Sequence, residues 1–393
     1  MGVLTAYIAT CVDHRGVLAP GEKGILPCLA ATKDQAQNAF GFICGSLESS
    51  PALRGLIQSK TSDTLSLATN VDVVVRPASY RSVRGATFVG ICLDEVAFFR
   101  SEEVSVNADI EIVRALRPGL LTTKGPLISI SSPYAKRGYL WNVYKKHFGP
   151  DGNPKVLVAQ AASQVMNPSV DKEWIAEQFD EDPIAAEAEF NANFRSDVAE
   201  FVSLDVLEAC VEAGLYEIAP MGGIQYTAFV DPSGGSSDSM TLAISHREKS
   251  GMAVLDCTRE IKAPFQPEAA VEEFCRTLAM YRIWSVTGDR YAGEWPAEQF
   301  RKRNIRYQPS EKPKSDIYRD ILPILNSGQC QLLDDRRLIS QFNGLERRTA
   351  RGGRDSIDHG PGRRDDLCNA VAGALCLAHL KQANILRVEE LRI

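Results

Sequence analysis

The spacing of apolar positions changes repeatedly along the chain, and each change predicts an element. Residues 3–14 (VLTAYIATCVDH) read as a helix ahead of a turn-rich loop from Gly16 to Gly24. Ile25–Ala31 is a short, continuous apolar run, as expected of a buried strand, and Lys33–Leu47 returns to helical spacing. Thr64–Ser66 and Val71–Pro77 predict two strands joined by a turn. Phe88–Leu93 predicts a further buried strand, Glu102–Leu116 a helix and Leu127–Ile130 another strand. Strands alternating with helices predict an α/β sandwich on a largely parallel sheet. Residues 149–170 carry Gly, Pro, Asn and Ser and read as a connection. An acidic helical stretch, Lys172–Asn193, and a short helix, Leu204–Ala213, come next.

After Met221-Gly222-Gly223, a candidate hinge, the pattern resets. Tyr226–Val230, Thr241–His246 and Met252–Asp256 are three strands in close succession, which predicts a meander. Pro267–Tyr281 is an amphipathic helix and Ile283–Thr287 a strand. A strand near Ile305, a helix over Asp316–Leu325 and a final helix from about Asp365 to Leu380 complete the chain. Three strands, a helix, a strand and then alternation is an RNase H-like order. The expected domains are residues 1–195, a linker over 196–222, and residues 223–393.

Composition narrows the class. The chain has 393 residues, 44% hydrophobic and 24% charged, enough for two or three domains with sizeable cores. No apolar run approaches the ~18–20 residues that cross a bilayer, and no basic segment precedes an apolar stretch at the N-terminus. The expectation is a cytoplasmic protein without a membrane partner. Ten cysteines include no C-x-x-C pair, and five histidines are scattered, so neither a disulfide frame nor a structural zinc site is expected. A net charge of −6 argues against indiscriminate coating of DNA. Charge is nevertheless uneven. Arg336–Arg364 holds eight arginines against three acids, and Arg301–Arg319 seven basic residues against two acids, each a net +5.

The second half carries a constellation of acids. Asp231 ends the strand in YTAFVDPSGG, Asp289 ends the strand in SVTGDRYAG, and Asp365 and Asp366 open the helix in GRRDDLCNA. An aspartate after a strand also serves as a turn former or helix cap. The conjunction is what points to chemistry: strand ends lie on one edge of a sheet, and a helix crossing that sheet brings its first turn to the same edge. Carboxylates gathered there repel one another unless cations neutralise them. All-oxygen donors select Mg²⁺ or Mn²⁺, and two such ions support hydrolysis of a phosphodiester. Catalytic and metal candidates are therefore Asp231, Asp289, Asp365 and Asp366. Gly234 and Gly235 would let a phosphate backbone approach, Asp238 is a candidate auxiliary acid, and Arg363 and Arg364 are candidates for DNA phosphates, with His359 nearby.

In the first half, FVGICLDE ends an apolar strand in Asp94-Glu95, the Walker B pattern, in which Asp94 would hold a nucleotide's Mg²⁺ and Glu95 would orient the attacking water. LISISSP places Ser131 and Ser132 at the end of the next strand, where a nucleotide-sensing segment is expected. Arg81 and Arg84 precede the Walker B strand and are candidates for phosphate contact. No G-x-x-x-x-G-K-[ST] occurs anywhere. The helix over residues 3–14 stands where the helix after a P-loop belongs, so a truncated or late-starting ATPase fold is expected.

The segments VGICLDEVAFF, ISISSPYAKRG, EAEFNANF, AFVDPSGGSSDS, VTGDRYAG and GRRDDLCNA, in this order, resemble the large terminase subunit of tailed phages and prophages, over almost the whole chain. The resemblance implies a P-loop-type (RecA/ASCE-like) α/β ATPase domain, here truncated, followed by an RNase H-like nuclease domain. The ATPase would drive double-stranded DNA through a portal protein into a procapsid, and the nuclease would cut the concatemer, with a small terminase subunit as partner. It implies that Asp94 and Glu95 are the Walker B acids, that Ser131, Ser132 and Pro133 form the coupling segment, and that Asp231, Asp289 and one or both of Asp365 and Asp366 ligate Mg²⁺ or Mn²⁺. ATP belongs to the complete motor. Arg364 stands where the family has a histidine. Another RNase H-like nuclease, of resolvase or integrase type, and an inactive prophage remnant that only binds DNA or portal remain open as alternatives.

Overall fold

The computed structural model describes residues 1–78, 85–99, 108–289, 294–349, 355–361 and 363–390, the last ten by backbone alone. Arg81 and Arg84 lie outside the described residues. The chain divides into two compact units, with the division between Asp197 and Val198.

The first unit is built on β1 (Gly24–Ala30), β2 (Ile57–Lys60), β3 (Thr64–Leu67), β4 (Val71–Pro77), β5 (Ile91–Asp94) and β6 (Leu127–Ile130), in the order β2-β3-β4-β1-β5-β6. The four strands β4, β1, β5 and β6 are parallel, and β2 and β3 form an antiparallel extension. Continuous apolar runs suit such central strands because both faces are covered. Alternate residues of β1 serve opposite layers. Leu26 and Cys28 join Ile8 of the helix Gly2–Cys11 and Phe40 and Ile43 of the helix Lys33–Glu48. Leu29 joins Ile112, Val113 and Leu116 of the helix Ala108–Leu116 on the other side. A capping box of Thr32 and Gln35 fixes the start of the helix Lys33–Glu48. The acidic stretch expected as one helix is two, Lys172–Glu181 and Pro183–Phe190. Pro183 cannot continue the first helix, and the Asp182 carboxylate accepts from the amides of Ile184 and Ala185 to begin the second. A helix over Gly138–His147 was not anticipated; it buries none of its residues fully, so no apolar stripe marks it.

The second unit adds β7 (Val198–Glu200), β8 (Tyr226–Asp231), β9 (Met240–Arg247), β10 (Ala253–Ile261), β11 (Ser285–Gly288), β12 (Arg306–Pro309), β13 (Cys330–Gln331), β14 (Leu345–Arg348) and β15 (Ser356–His359). Its main sheet runs β12-β11-β8-β9-β10-β13. The strands β8, β9 and β10 form the expected antiparallel meander, and β11 and β12 run parallel to β8. This is the RNase H-like order. The helix Pro267–Met280 covers one face, burying Val271, Phe274 and Leu278 against Val230, Leu242 and Ile244. The helix Asp366–Glu390 crosses the other, with Val371 and Ala374 packed among Phe229, Ala243 and Leu255. A Cβ added at Gly373 would sit 2.4 Å from the Phe229 ring, so this helix lies close on β8.

Much of the segment 196–222, expected as a linker, is structured in the second unit. Strand β7 pairs with β14, and the helix Leu204–Cys210 buries Leu207 and Cys210 in the core with Phe201 and Val202. Apolar residues spaced too irregularly for one period still bury area when strand and helix alternate over so few positions.

Candidate metal centre

Strand pairing brings the acids of the second unit together. Phe229 and Val230 pair in parallel with Thr287 and Gly288, so Asp231 and Asp289, each the next residue, leave the sheet side by side. The Asp289 amide donates to the Val230 carbonyl at 3.2 Å, and the Tyr307 hydroxyl donates to the Asp289 carbonyl at 2.8 Å. On the other flank Asp231 pairs with Thr241. The Thr241 hydroxyl donates to the Asp366 carbonyl at 2.6 Å, and the Ser239 amide to the Asp366 carboxylate at 3.2 Å. These bonds tie the first turn of the last helix to the start of β9 and so to the end of β8.

Asp231 therefore feels the charges of Asp366, Asp365 and Asp289. Burial pushes the Asp231 carboxyl well above the usual range, and the charges of Asp366, Asp365 and Asp289 add to it. Asn369, fully buried one turn into the helix, donates to Asp231 Oδ2 at 2.9 Å. Its own Oδ1 is buried without a hydrogen-bond partner. Asp366 is pushed up to about 6, by burial first and then by Asp365 and Asp238, while Arg364 pulls the other way. Buried carboxylates that cannot all ionise, oxygen donors only, and an unpartnered amide oxygen together suit a hard divalent cation.

The two neighbours on the last helix face different partners. Asp365 Oδ2 accepts from the Tyr318 hydroxyl at 2.9 Å and from Lys314 Nζ at 2.9 Å. Lys314 also reaches Asp358 Oδ1 at 2.8 Å, and its pKa is raised; burial opposes its charge, but Asp365 and Asp358 outweigh that. His359 Nε2 lies 4.0 Å from Asp358 Oδ1 and from Asp365 Oδ1. Of the two glycines expected to admit a phosphate backbone, Gly235 has a structural reason of its own: its φ is +80°, and a Cβ would lie 2.4 Å from the Phe265 carbonyl oxygen. Gly234 has open space beside it. Arg363 follows Gly360 in a turn and packs on Gly344, while Arg364 is half-buried near Asp366.

Asn369, Lys314, Tyr318 and Tyr307 escaped the sequence reading. Two left a signal: Asn369 is the lone polar residue in the apolar run LCNAVAGALC, and Lys314 sits in the first turn of the helix Lys314–Asn326, where the helix dipole disfavours a cation. A cavity of about 630 Å³ opens at the other end of the sheet, between residues 221–226, residues 280–285 and Arg306. None of the four acids lines it.

In the first unit Asp94 ends β5, and Glu95 follows in a left-handed conformation, φ 56° and ψ 46°, rare for a residue with a Cβ. Ser131 Oγ donates to Glu95 Oε2 at 3.0 Å, and the Ser132 amide also donates to that carboxylate. Burial raises both acids. The structure thus joins Asp94, Glu95, Ser131 and Ser132 at the carboxyl ends of adjacent parallel strands, where ligands of open α/β sheets bind.

No family model matches the chain, and no curated protein matches it. Its structural neighbours are phage large terminases. The HK97 bacteriophage large terminase is 16% identical, with 96% of this chain and 88% of that one covered at a TM-score of 0.39. The large terminase of a thermophilic bacteriophage, in complex with ADP, is 11% identical, covering 94% and 89% at 0.40. The large terminase nuclease of the thermophilic phage G20c with bound magnesium is 15% identical, covering 44% of this chain and 95% of that one at 0.38. At such identities and scores the reading of the site rests on its own geometry.

Proposed function

We propose that the second unit is a divalent-metal-dependent endonuclease acting on double-stranded DNA, and that the chain serves as a large terminase subunit. The observation that carries the nuclease is the meeting of Asp231, Asp289, Asp365 and Asp366 at one sheet edge, with the Asp231 carboxyl desolvated and its charge unbalanced. Asp231, Asp289 and one or both of Asp365 and Asp366 would hold Mg²⁺ or Mn²⁺. Such ions supply an acidified water and a counter-charge for the leaving oxygen of a phosphodiester. The protein's own part is orientation. Asn369 aims Asp231, Tyr307 fixes the Asp289 backbone, Ser239 and Thr241 anchor the helix start, and Arg363 and Arg364 would meet DNA phosphates.

In the first unit Asp94, Glu95, Ser131 and Ser132 form the remnant of a Mg·ATP site. Walker B acids organise Mg·ATP together with a phosphate cradle, and no G-x-x-x-x-G-K-[ST] occurs in this sequence. Portal protein and small terminase subunit are the partners this reading requires. The test is plasmid cleavage with Mn²⁺, Mg²⁺ or EDTA. Cutting should need the metal and disappear in Asp231→Asn and Asp289→Asn, with circular dichroism unchanged. Near-normal cutting by either variant would remove the assignment.

A further inference from the structure

The metal-centre reading leaves two adjacent acids, Asp365 and Asp366, with different surroundings. Successive residues on a helix point ~100° apart, and here each direction has its own partners. The Asp366 carboxylate accepts from the Ser239 amide just ahead of β9, and its main-chain carbonyl accepts from the Thr241 hydroxyl. Thr241 is the residue paired with Asp231, so Asp366 is turned to the edge where Asp231 and Asp289 emerge. The bonds of Asp365 run the other way, to the helix Lys314–Asn326. Lys314 and Tyr318 are four residues apart on one face of that helix and grip the same oxygen, Asp365 Oδ2, both at 2.9 Å.

We propose that Lys314 is a positioning residue that, with Tyr318, holds Asp365 out of the metal set, leaving Asp231, Asp289 and Asp366 as ligands, and that its ammonium fills a latent further cation site. This rests on the metal-centre reading. One carboxylate oxygen of Asp358, one of Asp365 and a nitrogen of His359 lie within 4.8 Å of one another, a donor set able to take a metal ion. Lys314 Nζ already sits on two of those three residues, 2.8 Å from Asp358 and 2.9 Å from Asp365. A divalent ion and an ammonium on the same two carboxyl groups would repel each other strongly at such range. A fixed cation there has a further consequence: it balances Asp365 whether or not metal is bound, so only Asp231, Asp289 and Asp366 answer to the metal. The first turn of a helix is a poor place for a lysine, and the two carboxylates are what hold its charge there.

The experiment is a Mn²⁺ titration of the full chain, with free Mn²⁺ read by electron paramagnetic resonance. Lys314→Met should bind one Mn²⁺ more than the wild type, and Lys314→Met combined with Asp365→Asn should lose it again. Lys314→Arg should keep the wild-type number. Asp366→Asn should weaken Mn²⁺ binding by more than about 100-fold, and Asp365→Asn by no more than the roughly 10–100-fold that loss of a supporting residue costs. An unchanged Mn²⁺ number in a folded Lys314→Met, or equal losses from Asp365→Asn and Asp366→Asn, would overturn the proposal. Should Lys314→Met fail to fold, the two aspartate variants decide alone. If Asp231→Asn and Asp366→Asn both bind Mn²⁺ like the wild type, the metal centre itself fails; if only the Asp365 and Lys314 results disagree, the metal centre stands without this assignment.

Discussion

Asp366 makes the metal-free protein sensitive to pH in a direction opposite to that of a salt-bridged acid. Its carboxyl is raised from 3.8 to about 6 in the folded state. The folded form thus binds the proton more tightly than the unfolded chain, and stability falls as pH rises between those values. Below 3.8 the contribution is fully present; above about 6 it is gone. At ~1.4 kcal/mol per unit the loss comes to about 3 kcal/mol, and solvent screening at a half-open site trims it to about 2 kcal/mol. Chemical denaturation in EDTA at pH 4, 5, 6 and 7 measures it by comparing the wild type with Asp366→Asn, whose amide oxygen can still accept from Ser239. The variant should gain about 2 kcal/mol on the wild type across this range, and saturating Mn²⁺ at pH 7 should stabilise the wild type far more than the variant. Parallel pH profiles for the two proteins in EDTA would refute the reasoning, because they would mean that Asp366 titrates alike folded and unfolded.

Gly373→Ala should destabilise by about 1–3 kcal/mol by pushing the last helix away from Phe229, and it should weaken metal binding as well, since that helix carries Asp365 and Asp366; thermal melts with and without Mn²⁺ measure both effects. Asp256→Ala should cost about 1–3 kcal/mol, because it leaves the buried His246 ring nitrogen without the carboxylate 2.8 Å away; an Asp256→Ala melt within about 1 °C of the wild type would contradict the pairing. ATP turnover by this chain should not exceed background in a phosphate-release assay, and robust hydrolysis would reveal a phosphate cradle outside the sequence motifs.

The order of elements, and hence both fold classes, was legible in the sequence because strands and helices announce themselves through local periods of two and 3.6 residues. The buried strands β1, β5 and β8 are continuous apolar runs, and Asp94-Glu95, Asp231 and Asp289 were visible as acids at strand ends. Boundaries set by long-range packing were not. The helix Leu204–Cys210 was legible, but the place of β7 in the second unit depends on its pairing with β14, almost 150 residues away, and no local pattern encodes that pairing. The acids could be proposed as a group from their order alone, but their grouping depends on strand register: β8 beside β11 and β9 places Asp231 between Asp289 and the start of the last helix. The distinction between Asp365 and Asp366 is tertiary altogether. The two are adjacent and chemically identical, and what separates them is the side of the helix to which each points: one towards Ser239, the other towards a lysine and a tyrosine about fifty residues earlier in the chain.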